Sequence, residues 1–431
     1  MKGKRFSRLI EWGKTLLILL LAISAVYLMG QTQFSDGMLE SVRDRLSSAA
    51  SNGEEGLADH SKSTVIRPVR LVMTLEGGQR YGVQYNQTES DSAFSSVSTL
   101  LAEALSSAST PQKIGQWTWR SNLNEVGIYL DLHDPLPLEV LSGQTNSGQQ
   151  SAVSSVTVRR ICLAAGQNDS VNLLYIDESD GNFYFCATTL SRRSHLDPVL
   201  TGRSANGALF AFEVPGMEHV APYVLLTTTP KPVKYRSENP LMSDSTRMGE
   251  LLNTLSLRGR SNELDPTVGG LLVEGNDSLR LMEDGTLTFH TIGDTDFRLL
   301  LPENTLQGAL DYTRELAAAT VGKWCQEATL YLSGVQETDN GLEIRYRYCL
   351  NGIPVELPEG NPAARFTVRN GAVTDFFLYF RAYSVTDETT LILPELQAAA
   401  VLGTSAAEEN ELTLIYPDSG GDLVGACWIA N

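Results

Sequence analysis

The amino-acid sequence predicts an α+β protein: an N-terminal membrane anchor, then two or three domains, each of helices packed on antiparallel β meanders. Three observations carry that expectation. Helical periodicities are followed by runs of alternating strands, without the β-α-β alternation that a parallel sheet needs. The connectors Asp339-Asn340-Gly341 and Asn370-Gly371 carry residues that accept the left-handed backbone of tight hairpins. An uncharged run, Thr15 to Met29, follows a basic N-terminus.

That N-terminus sets the expected compartment. Lys2, Lys4, Arg5, Arg8 and Lys14 precede the run, with Glu11 the one acid among them. Fifteen residues rise about 22 Å as a helix, short of a hydrocarbon core of about 30 Å. Snorkelling by Lys14, with Leu9, Ile10 and Trp12 just upstream, absorbs the deficit. No small-x-small pair follows the run and no cysteine follows to accept a lipid, so an uncleaved single-pass anchor is expected, a cleaved signal being the alternative. The positive charges hold the N-terminus in the cytoplasm and place the bulk of the chain outside the cell membrane.

Beyond the anchor, Met38, Leu39, Val42 and Leu46 suggest a short juxtamembrane helix, and Ser47 to Lys62 reads as a linker. Strands are expected at Pro68–Thr74 and Arg80–Tyr85 around a Gly77-Gly78 turn. An amphipathic helix follows over Ser92–Ser106, with Phe94, Val97, Leu101 and Leu105 on one face. Gly127–Leu132 alternates as a half-buried strand, Gly143–Ser155 is a Gln/Ser/Gly loop, and Val156–Ala164, Val171–Ile176 and Asn182–Thr188 complete a meander. Thr227 to Ser245, broken by Pro230, Pro232 and Pro240, reads as an extended boundary. A helix over Ser245–Leu257 precedes strands at Gly270–Glu274 and Ser278–Met282, the turn Glu283-Asp284-Gly285, and a strand to Thr291. The order then recurs: a helix over Thr305–Ala319, then strands at Ala328–Val335, Leu342–Leu350, Ala364–Arg369 and Ala372–Ser384. Pro394 and Gly403 bracket one more helix, and a final hairpin runs from Leu412 to Trp428 through Gly420-Gly421. The chain divides accordingly into 1–30 (basic tail and anchor), 31–62 (juxtamembrane helix and linker), 63–226 (N-terminal α+β domain), 227–300 (middle helix and strands) and 301–431 (C-terminal α+β domain).

Charge excludes one class of partner. The 431 residues hold 51 acidic and 33 basic side chains, a net −18, and beyond residue 30 the balance is 50 against 28, a net −22. A surface that acidic repels phosphate backbones, so no nucleic acid is expected. The five cysteines (Cys162, Cys186, Cys325, Cys349, Cys427) include two pairs spaced by 24, yet the expected hairpin register sets Cys349 opposite roughly residue 330, out of reach of Cys325. Cys162 and Cys186 fall on non-neighbouring strands, so buried free thiols are expected, and no CxxC motif is present.

Chemistry-bearing motifs are sparse. His60, His133, His195, His219 and His290 stand singly, and neither GxSxG nor GxxxxGK[ST] occurs. Abundant carboxylates leave open a hydrolase acting on cell-wall polymer through paired acids, and a passive ectodomain that binds such polymer is a further alternative. Asp177-Glu178-Ser179-Asp180-Gly181-Asn182 resembles a calcium loop but lacks its ligand alternation and closing Glu, so a hairpin turn with exposed acids is expected. Trp117 and Trp119, two apart, read as a strand with one face packed. In the anchor, Ala22, Ser24 and Ala25 form a small-residue patch that admits close approach of another membrane helix.

The stretch Leu251 to His290 adds a resemblance. Its short helix and the positions Val273, Glu274, Gly275, Leu279, Arg280, Asp284, Gly285 and Thr286 are similar to the corresponding segment of the YycH/YycI family. The hairpin YLSGVQETDNGLEIRYRYCLNGIPV resembles that family's repeated C-terminal layout, and SDSAFSSVSTLLAEAL followed by EVGIYLDLHDPLPLEVL its N-terminal domain. The strong acidity, the five cysteines and the long N-terminal half depart from the family pattern and favour YycH over YycI. The resemblance implies a non-enzymatic accessory protein without cofactor or metal. Its implied partners are a sensor histidine kinase of the WalK type, which governs cell-wall metabolism in Gram-positive bacteria, and a second, YycI-like single-pass protein. No catalytic residue is carried over.

Overall fold

The computed structural model describes residues 66–142, 156–244, 246–255, 264, 267, 269–274, 276–291, 299–402 and 411–430, all within one compact unit. The anchor, the juxtamembrane helix, the linker and the loop 143–155 lie outside the described residues. Among the described residues no helix is long and apolar enough to cross a membrane.

The first half holds β1 (Pro68–Thr74), β2 (Arg80–Gln84), α1 (Gln87–Ser106), β3 (Gln112–Ile114), α2 (Gln116–Leu123), β4 (Gly127–Pro137), β5 (Thr157–Ala165), β6 (Ser170–Asp177) and β7 (Asn182–Ser191). Its seven strands pair antiparallel in the order β2-β1-β4-β5-β6-β7-β3. Every residue of β1 is buried because both faces of the sheet are covered. Leu71 and Met73 join the core that takes in Ala93, Val97, Leu101 and Leu105 of α1, while Val72 on the other face meets Trp119, Tyr129 and Phe210. Helix α1 begins five residues earlier than its apolar stripe suggests because Asn86 caps it, accepting from the Glu89 amide at 3.2 Å.

One reading is corrected here. Trp117 and Trp119 lie on α2, not on a strand. Trp119 and Leu123, four residues apart, are buried on one helical face, while Trp117 is 80% exposed on another.

The short strands β8 (Leu209–Phe210) and β9 (Leu225–Leu226) pair with each other. Next comes β10 (Val233–Glu238), a strand inside the Pro-punctuated stretch. Then follow α3 (Thr246–Thr254), β11 (Gly270–Glu274), β12 (Asp277–Leu281), β13 (Thr286–Thr291), β14 (Leu299–Leu300), α4 (Leu306–Ala319), β15 (Thr329–Thr338), β16 (Gly341–Leu350), β17 (Ile353–Glu356), β18 (Ala364–Arg369), β19 (Ala372–Tyr379), β20 (Ala382–Thr389), α5 (Glu395–Leu402), β21 (Leu412–Pro417), β22 (Leu423–Val424) and β23 (Cys427–Ala430). Eleven of these strands make a second sheet in the order β11-β12-β13-β19-β18-β16-β17-β21-β23, with β14 on β19 and β15 on β16. Residues 270–291 therefore continue the same sheet as the C-terminal strands. Its inner face is apolar in register: Leu279, Phe289, Phe376, Phe366 and Ile344 lie opposite one another on successive strands. All five are buried in the core that also takes in Ala309, Leu310 and Leu316 of α4.

The single strand expected over Ala372–Ser384 is two strands. The chain leaves the second sheet at Phe380-Arg381, and β20 pairs instead with β10, which also carries β22. The break has a cause. The Arg381 guanidinium is drawn into the Asp418 carboxylate (2.8 and 2.9 Å), and the Phe380 amide bonds the Gly285 carbonyl (2.9 Å). Tyr383 and Ser237 also donate to Asp418, so this buried carboxylate is fully satisfied. The final hairpin differs similarly: β21 pairs with β23, and the segment between them lends β22 to β10.

A second buried ion network joins the two sheets. Arg70 on β1 is fully buried, 2.7 Å from Asp131 on β4 and 2.5 Å from Glu411, which precedes β21. Arg159 and Arg160 on β5 reach the same two acids, and Arg70 donates to the Leu412 carbonyl at 2.8 Å. Burial pushes the Glu411 carboxyl up, but the three guanidiniums outweigh it and hold that carboxyl well below the usual range. At the far edge, Gly352 in the β16–β17 turn has φ +83°, and a Cβ there would lie 3.0 Å from the Asn86 amide nitrogen at the start of α1.

Removing one member of the central network strands a buried charge. Arg70→Met is expected to lower stability by about 3–5 kcal/mol, read as a shifted urea midpoint. A change under about 1 kcal/mol would remove the network from its bridging role.

Candidate functional site

The outer face of the second sheet presents a row of mostly polar side chains. Alternation along each strand turns one set inward and the other outward. Across β11, β12, β13, β19, β18 and β16, one outward row reads Val273, Ser278, His290, Asp375, Thr367, Glu343. The neighbouring row reads Leu271, Arg280, Thr288, Phe377, Arg365, Arg345. Leu271 and Val273, at the edge strand, are 56% and 54% exposed.

The middle of this face is hollowed into a groove of about 750 Å³. The tips of two hairpins stand beside it, fastened together because Arg369 donates to the carbonyls of Asn340 (2.9 Å) and Asp339 (3.1 Å). On its floor the His290 imidazole hydrogen-bonds the Asp375 carboxylate through Nδ1, and Thr374 donates to the other carboxylate oxygen at 2.9 Å. Glu343 holds Arg345 at 2.7 Å and stands 3.9 Å from Arg365, whose guanidinium lies 5.5 Å over the Phe377 ring.

Ser278, His290 and Asp375 stand in line on three adjacent strands, the residue types of a hydrolytic triad. The serine hydroxyl, however, bonds the His290 carbonyl at 3.5 Å. Main-chain amides on both sides are taken up by the ladders of β11, β13 and β19, which leaves this row without main-chain oxyanion donors among the described residues. Other carboxylates suited to paired-acid chemistry are committed elsewhere: Asp131 and Glu411 to arginines, Asp418 to Arg381. Glu395, at the start of α5, is 3% exposed and accepts from Gln84 (2.8 Å) and the Thr227 amide (2.7 Å). Burial raises its pKa to about 7 against those hydrogen bonds. It is a perturbed acid in the core, held by Gln84 and Thr227.

The residues singled out by sequence are distributed unevenly. Ala22, Ser24, Ala25 and Gly275 lie outside the described residues. Glu274 ends β11, Leu279 is buried on β12, and Arg280 is exposed on the open face. Asp284 accepts from the Thr286 amide at 2.9 Å. Gly285 has φ +92°, and a Cβ there would lie 2.9 Å from the Phe380 carbonyl. The DGT segment is therefore the seam where β19 hands over to β20. Asp177–Asn182 is a hairpin turn, with the Asp177 and Asp180 carboxylates bound to Ser179, Asn182 and Tyr184. All five cysteines are free; four are buried and Cys427 is exposed, and Cys349 faces Thr329 in register. Among the described residues no three acids, cysteines or histidines converge on a metal-sized centre. The groove itself escaped the sequence reading, since nothing local places His290 beside Asp375.

No family model and no curated protein matches this chain in sequence. By fold it is similar to the crystal structure of YycH from Bacillus subtilis, with a TM-score of 0.54 at 12% identity, covering 88% of this chain and 96% of that one. The fold is YycH-like, in line with the resemblance carried by Leu251–His290.

Glu395 gives stability a pH dependence of defined sign. Its folded pKa lies above the ordinary 4.5, so its contribution is complete below about 4.5 and is lost as pH rises through about 7. Glu411 and Asp418, both lowered, act oppositely and lose their contribution on the acid side. From about pH 5 to about pH 8 the natural protein is expected to lose about 3 kcal/mol that Glu395→Gln does not lose, measured by urea unfolding at each pH. Parallel pH profiles would contradict the assignment.

Proposed function

We propose that this chain is a membrane-anchored, extracytoplasmic regulatory protein of the YycH kind, which modulates a cell-wall-related two-component sensor kinase through protein–protein contacts. The observation that carries the reading is the shared fold over 88% of the chain. The basic N-terminus and the apolar run Thr15–Met29 support it by supplying an anchor that places the ectodomain on the side where such a kinase senses. The partners are a WalK-type kinase and a second, YycI-like single-pass protein.

Regulation of this kind needs a differential interaction. The accessory must bind one state of the kinase better than another, or it shifts nothing. Two contact regions are available for that purpose: the small-residue patch Ala22, Ser24 and Ala25 within the anchor, and the ectodomain.

In-membrane crosslinking of the tagged full-length protein in its native host, read by mass spectrometry, is expected to recover a sensor kinase and a second single-pass protein with residues 1–30 still attached. Recovery of the protein alone in the medium, processed after about residue 30, would overturn the anchored reading. Replacing residues 15–29 with an unrelated apolar helix is expected to change kinase signalling while membrane retention persists. Unchanged signalling would confine the mechanism to the ectodomain.

A further inference from the structure

The groove on the open face of the second sheet has a chemistry that the regulatory reading does not use. We propose that it is a binding site for an uncharged oligosaccharide, a short glycan lying across strands β13, β19 and β18.

Size comes first. At about 750 Å³ the groove falls within the roughly 300–1,000 Å³ range of small-molecule sites, and it is open enough to admit a chain. Charge comes second. Arg365 and Arg369 stand against Asp375 and Glu343 in the lining, so two guanidiniums and two carboxylates balance in the groove. A phosphate-rich polymer finds no cationic field there, and the chain's overall −18 repels it. A polycation finds each acid already partnered by His290 or an arginine.

The functional groups decide between the remaining neutral ligands. The floor and walls offer fixed acceptors at Asp375 and Glu343, a fixed donor at Arg365, and amides at Asn340 and Asn370, which do both. A hydroxyl is both donor and acceptor, so adjacent hydroxyls on a sugar ring can serve all of these at once. An extended peptide would need free main-chain groups to pair with, and the strands under this face have theirs engaged in the ladders. Phe377 supplies a half-buried apolar edge for the C–H groups of a sugar ring, its face being covered by the Arg365 guanidinium. The site is also rigid. Its side chains stand on sheet strands, and the hairpin wall is pinned by Arg369 to two carbonyls.

The test is saturation-transfer NMR on the full-length protein with chitotetraose, and with maltotetraose and cellotetraose beside it to separate amino-sugar from glucose chains. Binding of at least one tetrasaccharide at millimolar concentration is expected. Asp375→Ala and Arg365→Ala should each weaken it about tenfold, the scale of one lost charge-assisted hydrogen bond. Arg280→Ala, exposed on the same face outside the groove, should leave it unchanged. All three positions are at the surface, and the milder Asp375→Asn and Arg365→Lys keep the comparison open if an alanine variant misfolds. No binding by any of the three sugars, or equal loss in Arg280→Ala, would overturn the proposal. Its failure leaves the kinase-partner reading untouched, because the crosslinking result does not depend on this groove.

Discussion

Everything in this architecture leans on a charged cluster in the interior. Arg70, with Arg159 and Arg160, holds the fully buried Asp131 and the largely buried Glu411, and Arg70 also takes the Leu412 carbonyl. Burying ions is costly, and the arrangement is tolerable because each acid meets more than one guanidinium at hydrogen-bond distance. Its consequence is directional. The cluster can form only if the segment entering β21 is laid against β1, β4 and β5, so the last strands of the chain are specified by the first sheet. Tyr85 reinforces this, accepting from the Leu414 amide at 3.0 Å.

The network around Asp418 completes the route. Asp418, just past β21, gathers Arg381, Tyr383 and Ser237, and so brings β20 and β10 to the same place. That turn of the chain at Phe380-Arg381 stops β19 from running on and leaves its outward residues, Asp375 and Phe377, within the groove. Placement of the open face thus follows from buried polar chemistry some distance from it. Among the described residues, a sheet covered on both faces is thus bound to a sheet covered on one.

Local signals made much of this legible. Strict alternation in Leu342–Leu350 and Ala364–Arg369, with Asn-Gly turns between strands, located the hairpins to within a residue or two. Thr305 and Asn86 mark helix starts by their capping oxygens, although the apolar stripe in α1 drew attention only to its later turns. Where local signals conflict, the reading failed. Trp117 and Trp119 mimic alternation, and only Leu123, four residues on, betrays the helix. Strand β17 is four residues with Pro354 inside, and β10 sits among prolines, so neither declares itself. The groove was illegible for a different reason. His290 and Asp375 are 85 residues apart and Arg70 and Glu411 are 341 apart. Pairings at such separations are set by the register of whole sheets, which no window of sequence contains.

The central claim is that the Arg70–Asp131–Glu411 cluster makes the two sheets one cooperative body. Native-state hydrogen exchange of the full-length protein, followed by mass spectrometry of fragments, addresses it most directly. If the claim holds, amides of β1, β4 and β21 exchange with one common opening free energy, shared with β16 and β19. If β21 and β23 open at a markedly lower free energy than β1 and β4, the cluster does not bind the sheets together, and the account of the fold fails at its base.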